Sequence, residues 1–396
     1  MAKPPKKPGS EKPIVLAAGG TGGHFFPAEA LARELLARGR RVELVTDKRG
    51  QAFGDSLPEV PVHRIRSAAP GGGLLTKITA GWQMGLGLLA ANALMRHLEP
   101  AAVVGFGGYP SVPTVYAAAQ ARVPVLLHEQ NAVLGRANRM LVAAAKRLAV
   151  AFPEISAVKD NHRSKIVRTG NPVRPAIAAK RGAAYEPPVA ANSVDGGPIR
   201  ILVMGGSQGA RVFSEVIPAA LGLLPADLRA RIHLAQQCRP EDLEDARRSY
   251  AGMGLGGLEL ESFFRDVPER LAACHLAVTR AGASTIAELT CVGRPAILVP
   301  YPHAMDDHQT ANANQLASAG ASWLMPQTDF TTDALAARLT DLLGSPDALA
   351  AAAEAARAWG MADAARRLAD AVLDMIGATT GPNAGNTSST TREAAE

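Results

Sequence analysis

Cysteine is rare in this 396-residue chain. The three present, Cys238, Cys274 and Cys291, are odd in number and lack metal-ligand or redox spacing. That pattern excludes a disulfide framework and suits a reducing compartment. Aromatic residues make up only 4%, and no basic stretch interleaves with them as a nucleic-acid surface would. The net charge of +6 is therefore read as favouring anionic substrates or an anionic membrane surface, with no nucleic acid among the partners. No uninterrupted apolar run approaches the ~20 residues of a membrane span. Lys and Pro dominate the first 13 residues, where a signal segment would be apolar. A soluble or peripheral protein is expected.

What the chain does carry is 47% apolar residues, with abundant Ala and 38 Gly, enough for two domains with closely packed cores. Each half contains an apolar strand followed by a glycine-rich loop and a helix. The first is Ile14-Val-Leu-Ala-Ala before Gly19-Gly-Thr-Gly-Gly-His24. The second is Ile199-Arg-Ile-Leu-Val-Met before Gly205-Gly-Ser-Gln-Gly-Ala210. A helix N-terminus presents unpaired N–H groups and a partial positive charge, and glycine lets a phosphate come close. Two such loops a domain apart predict an α/β protein of two Rossmann-like, doubly wound domains facing across a cleft. That arrangement suits an enzyme joining two phosphate-bearing molecules.

Short apolar runs bounded by Gly and Pro predict buried parallel strands at 14–18, 41–46, 101–105, 123–128 and 147–152. In the second half the pattern restarts at 199, with strands near 231–235, 275–279 and 296–299. Pro27–Arg38 reads as an amphipathic helix ended by Gly39, and 334–376 as Ala-rich helix. The turn-rich Gly170-Asn-Pro-Val-Arg-Pro175 suits a hinge, and 179–198 a linker or insertion. The expected parts are a disordered basic start (1–12), a first domain (13–173) and a second domain (174–357). A C-terminal helix (358–376) returning toward the first domain and a disordered polar tail (377–396) complete them.

The first loop departs from the dinucleotide fingerprint, with Phe25 where a third glycine should stand. Asp47, at the end of the second strand, keeps an NAD-dependent oxidoreductase in view. Against it, His24 closes the loop near a helix N-terminus, which favours the neutral imidazole a general base requires; a packing or capping role is the other reading. Gly105-Phe-Gly-Gly-Tyr-Pro-Ser111 is a second backbone anion nest, and His128-Glu-Gln-Asn131 sets four polar side chains at the carboxyl edge of the sheet. In the second half, Gly282 to Thr285 can present N–H and hydroxyl groups to a diphosphate, with Glu288 reaching back to ribose hydroxyls. Asp306, Asp307, His308, Gln309 and Asn312 fit either a metal or, without one, sugar hydroxyls.

Taken in order, Gly19-Gly-Thr-Gly-Gly-His-Phe-Phe-Pro27, Gly107-Gly-Tyr, His128-Glu-Gln-Asn131, Gly170-Asn-Pro-Val-Arg174, Gly205-Gly-Ser-Gln-Gly-Ala210, Arg280-Ala-Gly-Ala and Asp307-His-Gln-Thr-Ala-Asn312 resemble the MurG family. These are the peptidoglycan N-acetylglucosaminyltransferases that make lipid II from lipid I, and the match runs from about residue 14 to 375. The resemblance implies a GT-B fold and inverting, metal-independent transfer from UDP-N-acetylglucosamine (UDP-GlcNAc) to the C4 hydroxyl of the lipid I muramyl sugar, with no cofactor. It implies an acceptor and membrane role for the first domain and a UDP-sugar role for the second. Carried over by position, His24 is the base and Thr21, Gly22 and Gly23 lie at the phosphates. Asn131, Arg174, Ser207, Phe264 (through its backbone), Ala283, Ser284, Thr285, Ile286, Ala287, Glu288 and Gln309 bind the nucleotide sugar. Gly108, Tyr109 and Glu129 are acceptor-side candidates, and no residue is assigned to a metal.

Residues 70–98 combine glycines and apolar residues with Arg64, Arg66, Lys77, Arg96 and His97 nearby. Leu74, Leu75, Ile78 and Trp82 fit a monotopic contact, while Leu86 to Leu94 suits a core helix equally well. Because the acceptor is lipid-borne, the resemblance implies a peripheral protein on the anionic cytoplasmic face of the bacterial inner membrane, with other cell-wall synthesis proteins as further partners. The competing readings are a UDP-GlcNAc 2-epimerase of the same fold and the NAD enzyme suggested by Asp47.

Overall fold

The computed structural model describes residues 12–19, 22–47, 57–67, 73–190, 196–206 and 209–378, the side chains of 74–78 excepted. Two sheets form from alternating strands and helices. The first contains β1 (Ile14–Ala17), β2 (Val42–Thr46), β3 (Val62–Arg64), β4 (Ala102–Gly105), β5 (Val125–Glu129), β6 (Arg147–Val150) and β7 (Ile166–Arg168), in the order β3-β2-β1-β4-β5-β6-β7. The second contains β8 (Ile199–Met204), β9 (Ile232–Gln237), β10 (Gly257–Glu261), β11 (Leu276–Thr279), β12 (Ala296–Leu298) and β13 (Ser322–Leu324), in the order β10-β9-β8-β11-β12-β13. The order reverses beside the first strand of each sheet, as in doubly wound folds.

All pairings are parallel, and the glycine-loop strands lie centrally: Ile14 registers with Val42 on one side and Ala102 on the other. The continuous apolar runs of β1, β2, β4 and β5 follow from this, because helices cover both faces. Four strands absent from the sequence reading, β3, β7, β10 and β13, are the four edges of the two sheets. They are short and half-exposed, so their sequences lack the apolar run that marks a buried strand.

The helices that position the cleft are α1 (Gly22–Ala37), α2 (Leu74–Leu98), α3 (Ala283–Val292), α4 (His308–Ser318), α5 (Pro346–Trp359) and α6 (Ala364–Met375). The expected start of the first helix at Pro27 is corrected to Gly22. Pro27 lies inside the helix and has no N–H to donate to the Gly23 carbonyl, so that carbonyl lacks its usual intrahelical donor. The 334–376 stretch divides into Thr332–Leu343, α5 and α6. Of the 179–198 stretch, the described part is tied to the second domain by arginines. Arg231 donates to the carbonyls of Val189, Ala190 and Gly197, and Arg294 and Arg357 to those of Ala184 and Ala183.

Helix α6 joins a core of the first domain. Leu368, Ala369, Val372 and Leu373 pack with Leu31, Leu35, Leu44 and Val104, and Arg38 pairs with Asp370 at 2.6 Å. A second apolar cluster crosses the hinge, joining Ala132, Phe152, Val173 and Ile177 to Phe264, Ile286 and Leu289. Leu368 is fully buried, so Leu368→Ala should leave a cavity and cost about 2–5 kcal/mol. Urea denaturation followed by circular dichroism should show a transition at lower urea; an unchanged midpoint would mean that α6 is dispensable to the first core.

Candidate active site in the interdomain cleft

On the first-domain side, β1 delivers the chain to Gly19 and α1 begins at Gly22. Gly22, Gly23 and His24 therefore supply first-turn N–H groups without intrahelical partners. Nothing lies within 4 Å of where a Gly23 side chain would start, so its backbone stands open. Thr21 lies outside the described residues. The His24 ring is half-buried, with Nδ1 3.1 Å from Gln130 Oε1. Desolvation holds its pKa below the ordinary histidine value, opposed by the charge of Glu129 and the bond to Gln130. Above the ring passes the Gly107-Gly108 turn, both residues at positive φ (82° and 71°). A Cβ on Gly108 would sit 3.3 Å from His24 Nε2, so only glycine leaves that nitrogen uncovered. Tyr109 opens the short helix Tyr109–Ser111 that follows.

The polar row after β5 is bonded mostly to itself. His128 Nε2 lies 3.0 Å from the Gly170 carbonyl, and burial pushes the His128 pKa down to about 4. Glu129, expected on the acceptor side, accepts four hydrogen bonds from its own loop. Oε1 takes Asn131 N (3.1 Å) and Nδ2 (3.3 Å); Oε2 takes Gly135 N (2.9 Å) and Asn138 Nδ2 (2.8 Å). Its carboxylate thus organises the 131–138 loop. Asn131 continues across the cleft, its Oδ1 accepting from Asn312 Nδ2 at 3.1 Å.

On the second-domain side, α3 starts at Ala283 behind Gly282, with no side chain capping it. Ser284 Oγ is buried and without a hydrogen-bond partner in that first turn. One turn on, Glu288 is nearly buried, and desolvation raises its pKa against the opposing pull of Arg174. Arg174 reaches it from the hinge with Nε at 3.0 Å and Nη2 at 2.9 Å, while its guanidinium lies 5.0 Å from the Phe26 ring centroid. Arg174 thus joins the hinge, α1 and α3. Gln309 Oε1 accepts from Ala281 N (3.2 Å) and Tyr301 N (2.9 Å), committing its oxygen to the loops on either side.

The Phe264 ring is buried beneath Arg270, whose guanidinium lies 4.0 Å away, so only its backbone can serve a ligand. Ile286 is likewise core, and Ala287 packs at its margin. Ser207 lies outside the described residues; Gly206 and Gly209 beside it take φ of 84° and 69°.

Two contacts between the domains were not read from the sequence. Asn312 pins the domains together: Oδ1 accepts from Ala132 N at 2.8 Å, and Nδ2 also donates to the Ala281 carbonyl at 3.1 Å. Asp306, considered as a metal or sugar ligand, pairs with Arg136 at 3.0 Å and with Arg139, both from the first domain. Among the described residues no group of three or more His, Cys, Asp or Glu is placed to hold a metal ion. The Asp307-His-Gln-x-x-Asn312 pattern was the signal for Asn312, with Asp306 directly before it, but the first-domain partners of both lie more than 160 residues away.

Comparison with known proteins agrees with this architecture. Residues 14–150 match the glycosyltransferase family 28 N-terminal domain, and 200–368 the glycosyltransferase family 28 C-terminal domain. The chain is 62% identical over 368 residues to the UDP-N-acetylglucosamine–N-acetylmuramyl-(pentapeptide) pyrophosphoryl-undecaprenol N-acetylglucosamine transferase of Rhodospirillum centenum, covering 93% of this chain and 96% of that one. It is 55% identical to the corresponding enzyme of Paramagnetospirillum magneticum, covering 93% and 98%. Among solved structures, the MurG of Acinetobacter baumannii aligns with a TM-score of 0.73 at 30% identity, covering 92% of this chain and 99% of that one. A putative UDP-N-acetylglucosamine 2-epimerase from Listeria monocytogenes aligns at 0.66 with 14% identity, covering 94% and 98%, and shares the fold alone. With two GT-B domains, a full-length run of close relatives and both family 28 models matched, this chain belongs to the MurG family of glycosyltransferases.

Proposed function

We infer that this enzyme moves N-acetylglucosamine from UDP-GlcNAc to the muramyl C4 hydroxyl of lipid I, giving lipid II. The carrying observation is the pairing of two helix N-termini with His24 across one cleft, within a chain 62% identical over nearly its whole length to a transferase of that name. The uncapped start of α3 and the unpartnered Ser284 hydroxyl suit the donor diphosphate. Glu288 suits the ribose hydroxyls, and Arg174 beside it suits the phosphates. The first-turn amides of Gly22 and Gly23, the latter standing in open space, suit the acceptor phosphates. The reaction is a displacement. The acceptor hydroxyl oxygen bonds to the anomeric carbon as the bond from that carbon to the diphosphate oxygen breaks. Its electron pair leaves with UDP, and the hydroxyl proton passes to His24. A desolvated, neutral imidazole is in the form that accepts it. The helix dipole and Arg174 take up the leaving-group charge, a reading that needs no metal.

A membrane contact is proposed on the outer face of α2. Trp82 and Leu89 are 71% and 68% exposed seven residues apart, on one face of the helix. The opposite face, with Ala80, Ala91 and Met95, is buried, and Gly87 passes so close to the Arg66 carbonyl that a Cβ would stand 2.0 Å from its oxygen. The side chains of Leu74, Leu75 and Ile78 lie outside the described residues. No helix among the described residues is long and apolar enough to cross a membrane. The contact is read as lying on the anionic cytoplasmic surface because the proposed acceptor is lipid-borne.

His24→Ala should lower kcat about 10²–10⁴-fold with little change in donor KM. Near-normal turnover of UDP-GlcNAc and a lipid I analogue would remove His24 from the chemistry. Glu288→Ala should weaken UDP binding by about 1.5–3 kcal/mol in calorimetry; unchanged affinity in the folded variant would place the nucleotide elsewhere. Each of Trp82 and Leu89 can contribute at most about 1.5–3 kcal/mol when buried in lipid. The double change to Ser should thus weaken sedimentation with anionic vesicles by roughly tenfold or more while sparing turnover of a water-soluble acceptor. Undiminished sedimentation would move the contact to another surface.

A further inference from the structure

His24 has two ring nitrogens, and only one of them can meet an acceptor hydroxyl. We propose that a buried hydrogen-bond relay, from the Gly170 carbonyl through His128 and Gln130, fixes the tautomer of His24. It holds the proton on Nδ1 and presents the Nε2 lone pair to the cleft, making Gln130 a positioning residue for the transfer. The proposal rests on the reading of His24 as the base.

Each link follows from what the neighbouring atom can do. The Gly170 carbonyl only accepts, so the His128 Nε2 at 3.0 Å carries a proton and donates it. Burial keeps His128 neutral, which leaves its Nδ1 an unprotonated acceptor. The donor to that nitrogen is Gln130 Nε2 at 3.0 Å, and the same amide group also donates to the Phe106 carbonyl at 2.9 Å. A flipped amide would set Gln130 Oε1 against a bare lone pair and the carbonyl oxygens of Phe106 and His128. The orientation is thus determined, and Oε1 faces His24 Nδ1 at 3.1 Å. An amide oxygen cannot donate, so the proton of neutral His24 resides on Nδ1. Nε2 then lies beside Gly108, where a Cβ would stand 3.3 Å from it and crowd an incoming hydroxyl.

Gln130 is 2% exposed and His128 fully buried, so solvent does not stand in for either partner. The charged or titratable groups acting on His24 are Glu129, which favours its protonation, and His308, which opposes it; His128 feels His24 in turn. When Nε2 takes the acceptor proton, Gln130 Oε1 keeps its bond to Nδ1–H. No proton needs to travel along the relay, which acts by orientation.

The test uses the full-length enzyme labelled with ¹⁵N-histidine. The His24 signal is assigned by its loss in His24→Ala, and long-range ¹H–¹⁵N spectra are recorded above the His24 pKa. The expected wild-type spectrum has Nδ1 protonated and Nε2 bare. Gln130→Met should mix the tautomers and lower kcat roughly 10- to 100-fold, less than the ~10⁴-fold loss that follows when a triad histidine is held in the wrong tautomer. Donor KM should stay within about twofold, since removing an interaction realised in the transition state lowers kcat selectively. Gln130→Glu keeps an oxygen at Nδ1 and adds negative charge. Its acidic limb of kcat/KM should move to higher pH, and above that limb its activity should exceed that of Gln130→Met.

A wild-type His24 protonated at Nε2 overturns the proposal. So does a folded Gln130→Met with unchanged kcat and pH profile. If Gln130→Met does not fold, the wild-type spectrum and the Gln130→Glu profile decide. Near-normal turnover of His24→Ala would instead overturn the base reading, and with it any catalytic meaning for Gln130, while the spectrum reports the relay independently of activity.

Discussion

In both sheets the strands run parallel, and this constraint decides where the chemistry sits. Parallel strands end at one common edge, and the helix that follows each strand begins there with unpaired N–H groups. The first sheet delivers Gly19, Gly105 and Glu129 to such an edge; the second delivers Met204 and Thr279. Each domain thus gains helix N-termini with unpaired N–H groups from backbone geometry alone. Glycine is needed where the substrate, or a ring such as that of His24, has to come within contact distance.

The second consequence concerns polar groups forced into the interior at those edges. Buried donors and acceptors have to find partners, and here each partner restricts a neighbour. Glu129 uses both carboxylate oxygens to shape the loop that carries Asn131 to Asn312. Asn312 in turn holds Ala132 of one domain and Ala281 of the other. Arg174 touches Phe26 and Glu288 at once, so the acid on α3 and the helix bearing His24 share one residue. Relative motion of the domains has to rearrange these bonds together.

Stability follows the same interweaving. The chain completes the second domain with α5, then returns so that α6 covers the core containing α1. The C-terminal end of the helix bearing His24 is thereby tied to residues more than 300 positions away, as the Arg38–Asp370 pair shows. The helix bearing His24 is held by packing as well as by its own backbone bonds.

Local pattern was enough for the central strands, the two glycine loops and the polar row at 128–131. Buried parallel strands are continuous apolar runs, and loops that accept phosphate are rich in glycine. Edge strands such as Gly257–Glu261 leave no such run because one side is open to solvent. The start of α1 was hidden by Pro27, which reads as a helix opening although the helix begins five residues earlier. Which chemical groups stand at the cleft was thus legible from composition and spacing. Their division of labour was decided by tertiary structure. Glu129 turned to its own loop, Asp306 turned to Arg136 and Arg139, Glu288 met Arg174, and Gln130 joined His24. Several of these pairings span more than 100 positions, and no periodicity of 2 or 3.6 residues encodes them. Only the folded chain brings such groups within 3 Å or so, the distance at which a hydrogen bond selects one partner over another.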